Sequence, residues 1–276
     1  MSAAVAERAI AAHGKRIVSA VILGLLALGA AIAGGPLFLL FWAVACGGIF
    51  WEWNALVGAA PRNAALSLGG AGLAGAAISL GLGAPGVALL WVLAGALAVA
   101  IFARPPIWAA GSVLYAAALL VPVVVLRDDA RLGLVAVLFL FATVWATDVA
   151  ALYSGRYFGG PKLAPRINPA KTWSGAIGGA LAGIAGGIAL LAVMRFELSA
   201  IHFLVALAVT VTAQLGDLFE SWVKRQFSVK DAGGIIPGHG GIMDRLDGFI
   251  AAALAAASFG ILRAGVAAPA QGLMQW

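Results

Sequence analysis

The feature that most constrains this chain is a succession of apolar runs, most of them close to 20 residues long, that fills most of its length. A run of about 20 apolar residues crosses a bilayer as a helix, and an open strand would leave backbone groups unpaired in lipid. Only 10% of the residues are charged, whereas a soluble domain carries about 25%. The sequence therefore predicts an all-α integral membrane protein, a polytopic bundle of about nine transmembrane helices. The predicted spans are residues 17–34, 37–57, 64–82, 86–102, 107–126, 132–152, 173–193, 200–223 and 246–266.

The basic residues predict how these spans are oriented. If the N-terminus is cytoplasmic, only four of the 17 Lys and Arg residues fall outside, and an excess of cations is expected in cytoplasmic loops. We therefore expect the chain to begin in the cytoplasm and to end outside. The same distribution accounts for a net charge of +6 without a nucleic-acid partner, for which the sequence holds no motif. The four external cations are Arg127, Arg131, Arg195 and Arg263.

Two long loops, residues 153–172 and 224–245, lie on the predicted cytoplasmic side and are rich in glycine, proline and cations. Long loops between packed elements are often functional. We therefore divide the chain into N-terminal membrane scaffold helices, residues 1–130, and a C-terminal catalytic membrane region with two cytoplasmic loops, residues 131–276. A single cysteine, Cys46, excludes an intramolecular disulfide and a cysteine metal site.

Six acidic residues interrupt the apolar spans, and ionisable groups inside a membrane are costly enough to be functional candidates. Each is predicted near the cytoplasmic end of its helix. Such charges are either tolerated at the interface or line one pocket that opens to the cytoplasm. The six residues are Glu52, Asp148, Asp217, Glu220, Asp244 and Asp247.

One face of the span 200–223 and its extension carries a polar stripe. Asp217, Glu220, Ser221 and Lys224 are spaced to fall within an arc of about 100° on a helix. Acid at the deep end and base at the headgroup level suit a metal ion with a polyphosphate above it. Two structural alternatives remain open: an intrahelical ion pair between Glu220 and Lys224, and a bond from Ser221 to the helix carbonyl one turn back.

A glycine-rich segment, residues 230–241, follows this stripe and leads into the last predicted span. Glycines let backbone amides approach and hold phosphate oxygens. Asp244 and Asp247 come one helical turn apart just after it and can face the same site. The segment is not a P-loop, because the Gly-Lys-Ser/Thr ending is missing.

Taken together, these residues resemble the signature of the phosphatidate cytidylyltransferases, also called CDP-diacylglycerol synthases. The matching pattern is Ser221-x-x-Lys224-Arg225, then Lys230-Asp231-x-Gly233, then Ile236-Pro237-x-His239-Gly240-Gly241-Ile242-x-Asp244-Arg245-x-Asp247. Upstream, residues 148–159, Lys162-Leu163-Ala164-Pro165 and Pro169-x-Lys171-Thr172-Trp173-Ser174-Gly175 are also similar to that family. The detailed resemblance covers the C-terminal half of the chain.

The resemblance implies that CTP and phosphatidate give CDP-diacylglycerol and pyrophosphate, in phospholipid biosynthesis at a bacterial-type plasma membrane. It also implies a homodimer among membrane lipids. Because both reactants are anionic, catalysis should come from positioning and charge neutralisation, with Mg²⁺ held by carboxylates. The expected metal ligands are Asp217 and Asp244, supported by Asp148 and Asp247.

The remaining roles follow the same logic. Ser221, Lys224 and Arg225 are expected to hold phosphates and to be catalytic together with Asp217 and Asp244. Substrate binding is expected of Lys171, Thr172, Lys230, His239, Gly240, Gly241 and Arg245. His239 has an alternative role, a hydrogen bond within its own loop.

Two other functions stay open at this point. A different CTP-dependent lipid kinase, acting on a polyprenol or phytol, would share cationic loops and acidic residues. Carboxylates near the bilayer midplane and paired broken helices would favour a cation-coupled transporter, and the sequence shows neither.

Overall fold

The chain folds into a bundle of long helices in a computed structural model that describes residues 3–234 and 240–276, with side chains from Val18 onward. The helices are α1 Ala3–Ala33, α2 Gly35–Val57, α3 Arg62–Gly81, α4 Pro85–Phe102, α5 Pro106–Arg127, α6 Gly133–Phe158, α7 Trp173–Val193, α8 Ala200–Gln226, α9 Met243–Ala264 and α10 Pro269–Met274. Two short strands, β1 Lys162–Ala164 and β2 Asn168–Thr172, lie between α6 and α7.

Within the described residues, eight helices, α2 to α9, are long and apolar enough to cross a membrane. The apolar part of α1, Val18–Ala33, is a shorter apolar helix. The prediction of an all-α polytopic membrane protein with about nine helices is confirmed. Proline lies in the first turn of α2, α4, α5 and α10, where its missing N–H costs no intrahelical hydrogen bond.

The loop before α7 contains a small hairpin that the sequence did not predict. β1 pairs with β2 in antiparallel fashion, with Lys162 opposite Thr172 and Ala164 opposite Asn168. Thr172 ends β2 and also caps α7, because its Oγ1 accepts a hydrogen bond of 3.1 Å from the N–H of Gly175. The hairpin therefore fixes where Lys171 lies relative to the helices.

Glycines bring α6 and α7 into direct backbone contact. Gly175, Gly179, Gly183 and Gly187 repeat at every fourth position of α7 and are buried. A Cβ atom on Gly179 would lie 2.9 Å from the carbonyl oxygen of Thr147 on α6. Small residues at this spacing are typical of close helix packing in membranes, so α6 and α7 form a tightly joined pair.

An aromatic cluster in the core joins α2, α6 and α9. The ring of Trp42 is stacked on Phe249, with centroids 5.1 Å apart. Phe141 contacts both rings, at 6.2 Å and 5.4 Å. This packing sets α2 beside the start of α9, where the predicted site residues begin.

The two ends of the bundle differ in what they carry. The hairpin meets the end of α8 at one end, where Arg225 Nε donates to the carbonyl oxygen of Ile167 at 3.2 Å. At the other end α10 folds back onto the bundle, with His202 Nε2 3.0 Å from the carbonyl oxygen of Met274. We call the first of these the hairpin end. The division of the chain at residue 130 stays a prediction.

Candidate active site

Lys224 holds two acidic side chains together at the hairpin end. Its Nζ lies 2.9 Å from Oε2 of Glu220 on the same helix and 2.7 Å from Oδ1 of Asp244 on α9. Glu220 is 1% exposed and Asp244 10%. The intrahelical ion pair considered as an alternative is therefore present, and the same lysine also links α8 to α9, which the sequence did not predict.

Both carboxylate oxygens of Asp244 accept hydrogen bonds from groups of the protein. Besides Lys224, it accepts the N–H of Ala232 at 3.2 and 3.1 Å and the N–H of Gly241 at 2.9 Å. It thus joins the two ends of the glycine-rich segment to the first turn of α9. Gly240 has a positive φ of 85°, a conformation that glycine adopts without strain.

Asp217 on α8 pairs with Lys171 of the hairpin. Nζ of Lys171 lies 2.6 Å from Oδ2 of Asp217, and the two side chains are 21% and 32% exposed. Ser221 Oγ donates to Oδ1 of Asp217 at 3.4 Å and accepts from Nδ2 of Asn168 at 3.1 Å. Ser221 therefore forms hydrogen bonds with side chains. The structural alternative had predicted a hydrogen bond from Ser221 to the backbone carbonyl one helical turn back.

The two other predicted ligands lie close to this group. Asp247 Oδ1 accepts the N–H of Gly248 at 2.8 Å, and Asp247 interacts electrostatically with Asp217, Glu220 and Asp148. Within the described part of the chain, no group of three or more His, Cys, Asp or Glu side chains is arranged as a metal site. The predicted ligands therefore gather in one region without forming a complete metal cage there.

The other predicted binding residues occupy different positions at this end. Thr172 is buried and its hydroxyl caps α7. Arg225, Lys230 and Arg245 are exposed, and Arg225 also donates to the carbonyl oxygen of Val229 at 3.4 Å. His239 lies outside the described residues.

Two residues of the predicted scaffold reach the site, and the sequence did not indicate their contacts. Glu52 is 2% exposed and accepts the N–H groups of Ile242 and Met243. The hydroxyl of Tyr115 is buried without a hydrogen-bond partner in the described structure, and Tyr115 interacts electrostatically with the acidic residues of the site, Asp217 among them. In the sequence, the isolated acid Glu52 in α2 was the one indication of such a role. Tyr115, a tyrosine in an apolar run, gave no indication.

Comparison with known proteins identifies the family of this chain. Residues 14–262 match the model of the cytidylyltransferase family. The chain is 40% identical over 260 residues to the phosphatidate cytidylyltransferase of Brucella suis biovar 1 (strain 1330), and the match covers 90% of this chain and 93% of that protein. The Brucella abortus biovar 1 (strain 9-941) protein of the same name matches with the same identity and coverage.

A shorter match reaches the phosphatidate cytidylyltransferase of Rickettsia bellii (strain RML369-C). It is 43% identical over 123 residues, which are 41% of this chain and 52% of that protein. The match of the family model spans nearly the whole chain, including every described site residue. The chain therefore belongs to the cytidylyltransferase family and is a nucleotidyltransferase.

Proposed function

We propose that this chain transfers the cytidylyl group of CTP to phosphatidate at the cytoplasmic face of the membrane, with Mg²⁺ as cofactor. The products are CDP-diacylglycerol and pyrophosphate. The observation that carries this proposal is the cluster of acidic residues with Lys171 and Lys224 at the hairpin end of the bundle. The relatives named phosphatidate cytidylyltransferase support it.

The chemistry follows from the charges of the reactants. An oxygen of the lipid phosphate attacks the α-phosphorus of CTP, the bond between the α- and β-phosphates breaks, and pyrophosphate leaves. The attacking oxygen is already anionic, so the reaction needs charge neutralisation and alignment more than a general base. In this proposal Arg225 and Arg245, exposed at the hairpin end, bind phosphate oxygens, for which arginine is well suited.

The donor set at this end fits Mg²⁺. Mg²⁺ takes oxygen ligands and needs only one or two carboxylates when substrate phosphates and water complete its shell. Asp217 fits best, because among the described residues its Oδ1 has only the long contact with Ser221, while Lys171 pairs with Oδ2. Asp247 and Asp148 lie in electrostatic range of it.

Asp244 differs from these three, since both of its oxygens already bind Lys224 and backbone amides. It would join the metal only if one of these partners released it. Bound Mg²⁺ would offset the charge on the phosphates and help to align them.

The position of the site supports the proposed face and partners. The hairpin, the end of α8 and the start of α9 share one end of the bundle, and the positive-inside rule assigns that end to the cytoplasm. CTP would reach it from the cytoplasm and phosphatidate from the headgroup level of the bilayer. A homodimer remains part of the proposal through the resemblance alone.

The test is an assay of the purified protein with radiolabelled CTP and phosphatidate, with and without Mg²⁺. We expect the cytidine label in a lipid-soluble product and one pyrophosphate per product, only when Mg²⁺ is present. A CTP-dependent kinase would release CDP and leave no cytidine in the lipid, and a transporter would form no product. Either result would contradict the proposal.

A further inference from the structure

Glu52 is a buried acid that joins the N-terminal helices to the site. It lies on α2, and both of its oxygens accept backbone hydrogen bonds from α9: Ile242 N–H to Oε1 at 3.0 Å and Met243 N–H to Oε2 at 2.8 Å. A buried carboxylate needs such partners to offset its lost hydration. These two amides are therefore held by a helix from the other half of the chain.

The amides that Glu52 binds are the ones a helix normally leaves unpaired. The first four N–H groups of a helix lack an intrahelical acceptor, and Ile242, which precedes α9, makes no side-chain capping bond of its own. Glu52 supplies the capping oxygens from α2, and its negative charge lies at the positive end of the dipole of α9. The start of α9 is thus fixed from outside the helix.

The glycine-rich segment contacts the same carboxylate at both of its ends. A Cβ atom on Gly233 would lie 2.6 Å from Oε1 of Glu52, and one on Gly241 would lie 2.6 Å from Oε2. Neither position can carry a side chain unless the carboxylate moves. The close approach to Glu52 explains why glycine stands at these two positions.

Asp244 follows directly after the residues that Glu52 holds. It binds Lys224 and the amides of Ala232 and Gly241. Together, the carboxylates of Glu52 and Asp244 accept hydrogen bonds from the backbone amides of residues 232, 241, 242 and 243. The place of Asp244, and through it the place of Lys224, therefore depends on Glu52.

We propose that Glu52 is a positioning residue for the cytidylyl transfer described above, on which this role rests. It holds the start of α9 and packs against both ends of the glycine-rich segment, so that Asp244 and Lys224 keep their places. It acts through these groups and does not itself touch the reactants.

The test compares Glu52→Gln, Gly241→Ala and the double variant with wild type. Glu52→Gln keeps the shape but loses the charge and one acceptor, so kcat should fall roughly ten- to a hundredfold through misplaced groups. The KM values for CTP and phosphatidate should stay within about threefold of wild type, since ground-state contacts remain. Gly241→Ala should reproduce the loss, and the double variant should be no worse than the poorer single, because both disturb one contact.

Asn54→Ala is the matched control. Asn54 is on α2, is 2% exposed like Glu52, and donates to the carbonyl oxygen of Phe50 within its own helix at 2.8 Å. We expect a lower melting temperature for this variant and an unchanged kcat per folded molecule.

Hydrogen exchange of the peptide spanning residues 240–246 gives a readout that does not depend on activity. Exchange should be faster in Glu52→Gln than in wild type, because one of the two amides loses its acceptor and the other keeps only an uncharged one. Unchanged exchange, unchanged kcat in Gly241→Ala, or additive losses in the double variant would each overturn the positioning role. A wild-type protein that forms no cytidine-labelled lipid would instead overturn the proposed function and leave the exchange test standing.

Discussion

The ammonium nitrogen of Lys224 lies 2.7 Å from Oδ1 of Asp244, so one cation joins α8 to the first turn of α9. The same nitrogen also binds the buried Glu220. A cation that compensates two buried acids has a structural role as well as any role toward phosphates. This distinguishes it from Arg225, whose side chain is exposed.

Replacement of Lys224 should therefore destabilise the protein as well as inactivate it. Lys224→Ala leaves two nearly buried carboxylates without their cation, and breaking a buried pair costs about 3–5 kcal/mol. Thermal unfolding of the detergent-purified variant should show a clear drop in melting temperature.

Arg225→Ala is the comparison for that experiment, because its recorded bonds go to backbone carbonyls at the surface. It should unfold near the wild-type temperature while losing about 1.5–3 kcal/mol of transition-state stabilisation with CTP. Equal melting temperatures for Lys224→Ala and wild type would contradict the structural role.

Asp217→Asn should abolish Mg²⁺-dependent turnover with little change in stability. Asparagine keeps the shape and removes the charge that a metal ion requires. The pair with Lys171 is partly exposed, and such pairs contribute no more than about 1 kcal/mol. A Mg²⁺ titration of product formation together with a melting curve measures both effects. Glu197→Gln, an exposed acid in the turn between α7 and α8, should behave as wild type, and substantial activity in Asp217→Asn would remove the metal assignment.

Asp129 should make stability depend on pH at the end opposite the site. Its carboxylate accepts the N–H groups of Arg131, Leu132 and Gln271 at 3.0–3.1 Å. Burial by itself would raise the pKa of Asp129, but these backbone hydrogen bonds outweigh burial and hold the pKa below its usual value. The charged form therefore stabilises the fold above the unfolded pKa of about 3.9, and this contribution is lost as pH falls through the folded pKa.

Asp129→Asn should accordingly melt at a lower temperature than wild type at pH 7, with a difference that shrinks below about pH 4. The neighbouring Asp128 is a control of opposite sign. Burial raises the pKa of Asp128 more than Arg127 lowers it, so Asp128→Asn should melt at the same or a higher temperature at pH 7. Identical pH profiles for the two variants would contradict this explanation.

The orientation of the bundle can be tested with reporters. A reporter inserted near Ala232 should be cytoplasmic, and one fused after Trp276 should be external, because the glycine-rich segment and α10 lie at opposite ends. Reporters that give the same side for both positions would mean that the number of spans is wrong by one.

The helices were predictable because each span depends on its own composition. α7 begins and ends at the predicted residues, Trp173 and Val193. The strands were not predictable, since β2 contains a proline and has no alternation of apolar residues. Its position depends instead on contacts with α8, such as the bond from Asn168 to Ser221.

The sequence predicted which residues gather at the site, but only some of the contacts that these residues make with one another. The four-residue spacing indicated the Glu220–Lys224 pair as an alternative, and the structure contains it. The pair of Lys171 with Asp217 and the capping of α9 by Glu52 join segments that lie far apart in the sequence. Such contacts follow from tertiary packing, which local patterns do not encode.

The glycine repeat of α7 also bears on how the protein fits bilayers of different thickness. In the observed register the glycines of α7 face residues of α6 such as Thr147, where a Cβ atom would not fit. A shift of α7 along α6 by one residue would bring larger side chains of α7 against these residues. α7 therefore cannot slide along α6, and the two helices must tilt together to match a thinner or thicker bilayer. Since the hairpin and Lys171 connect these two helices, such a tilt would carry one wall of the active site with it, so that lipid thickness would act directly on the geometry of the enzyme.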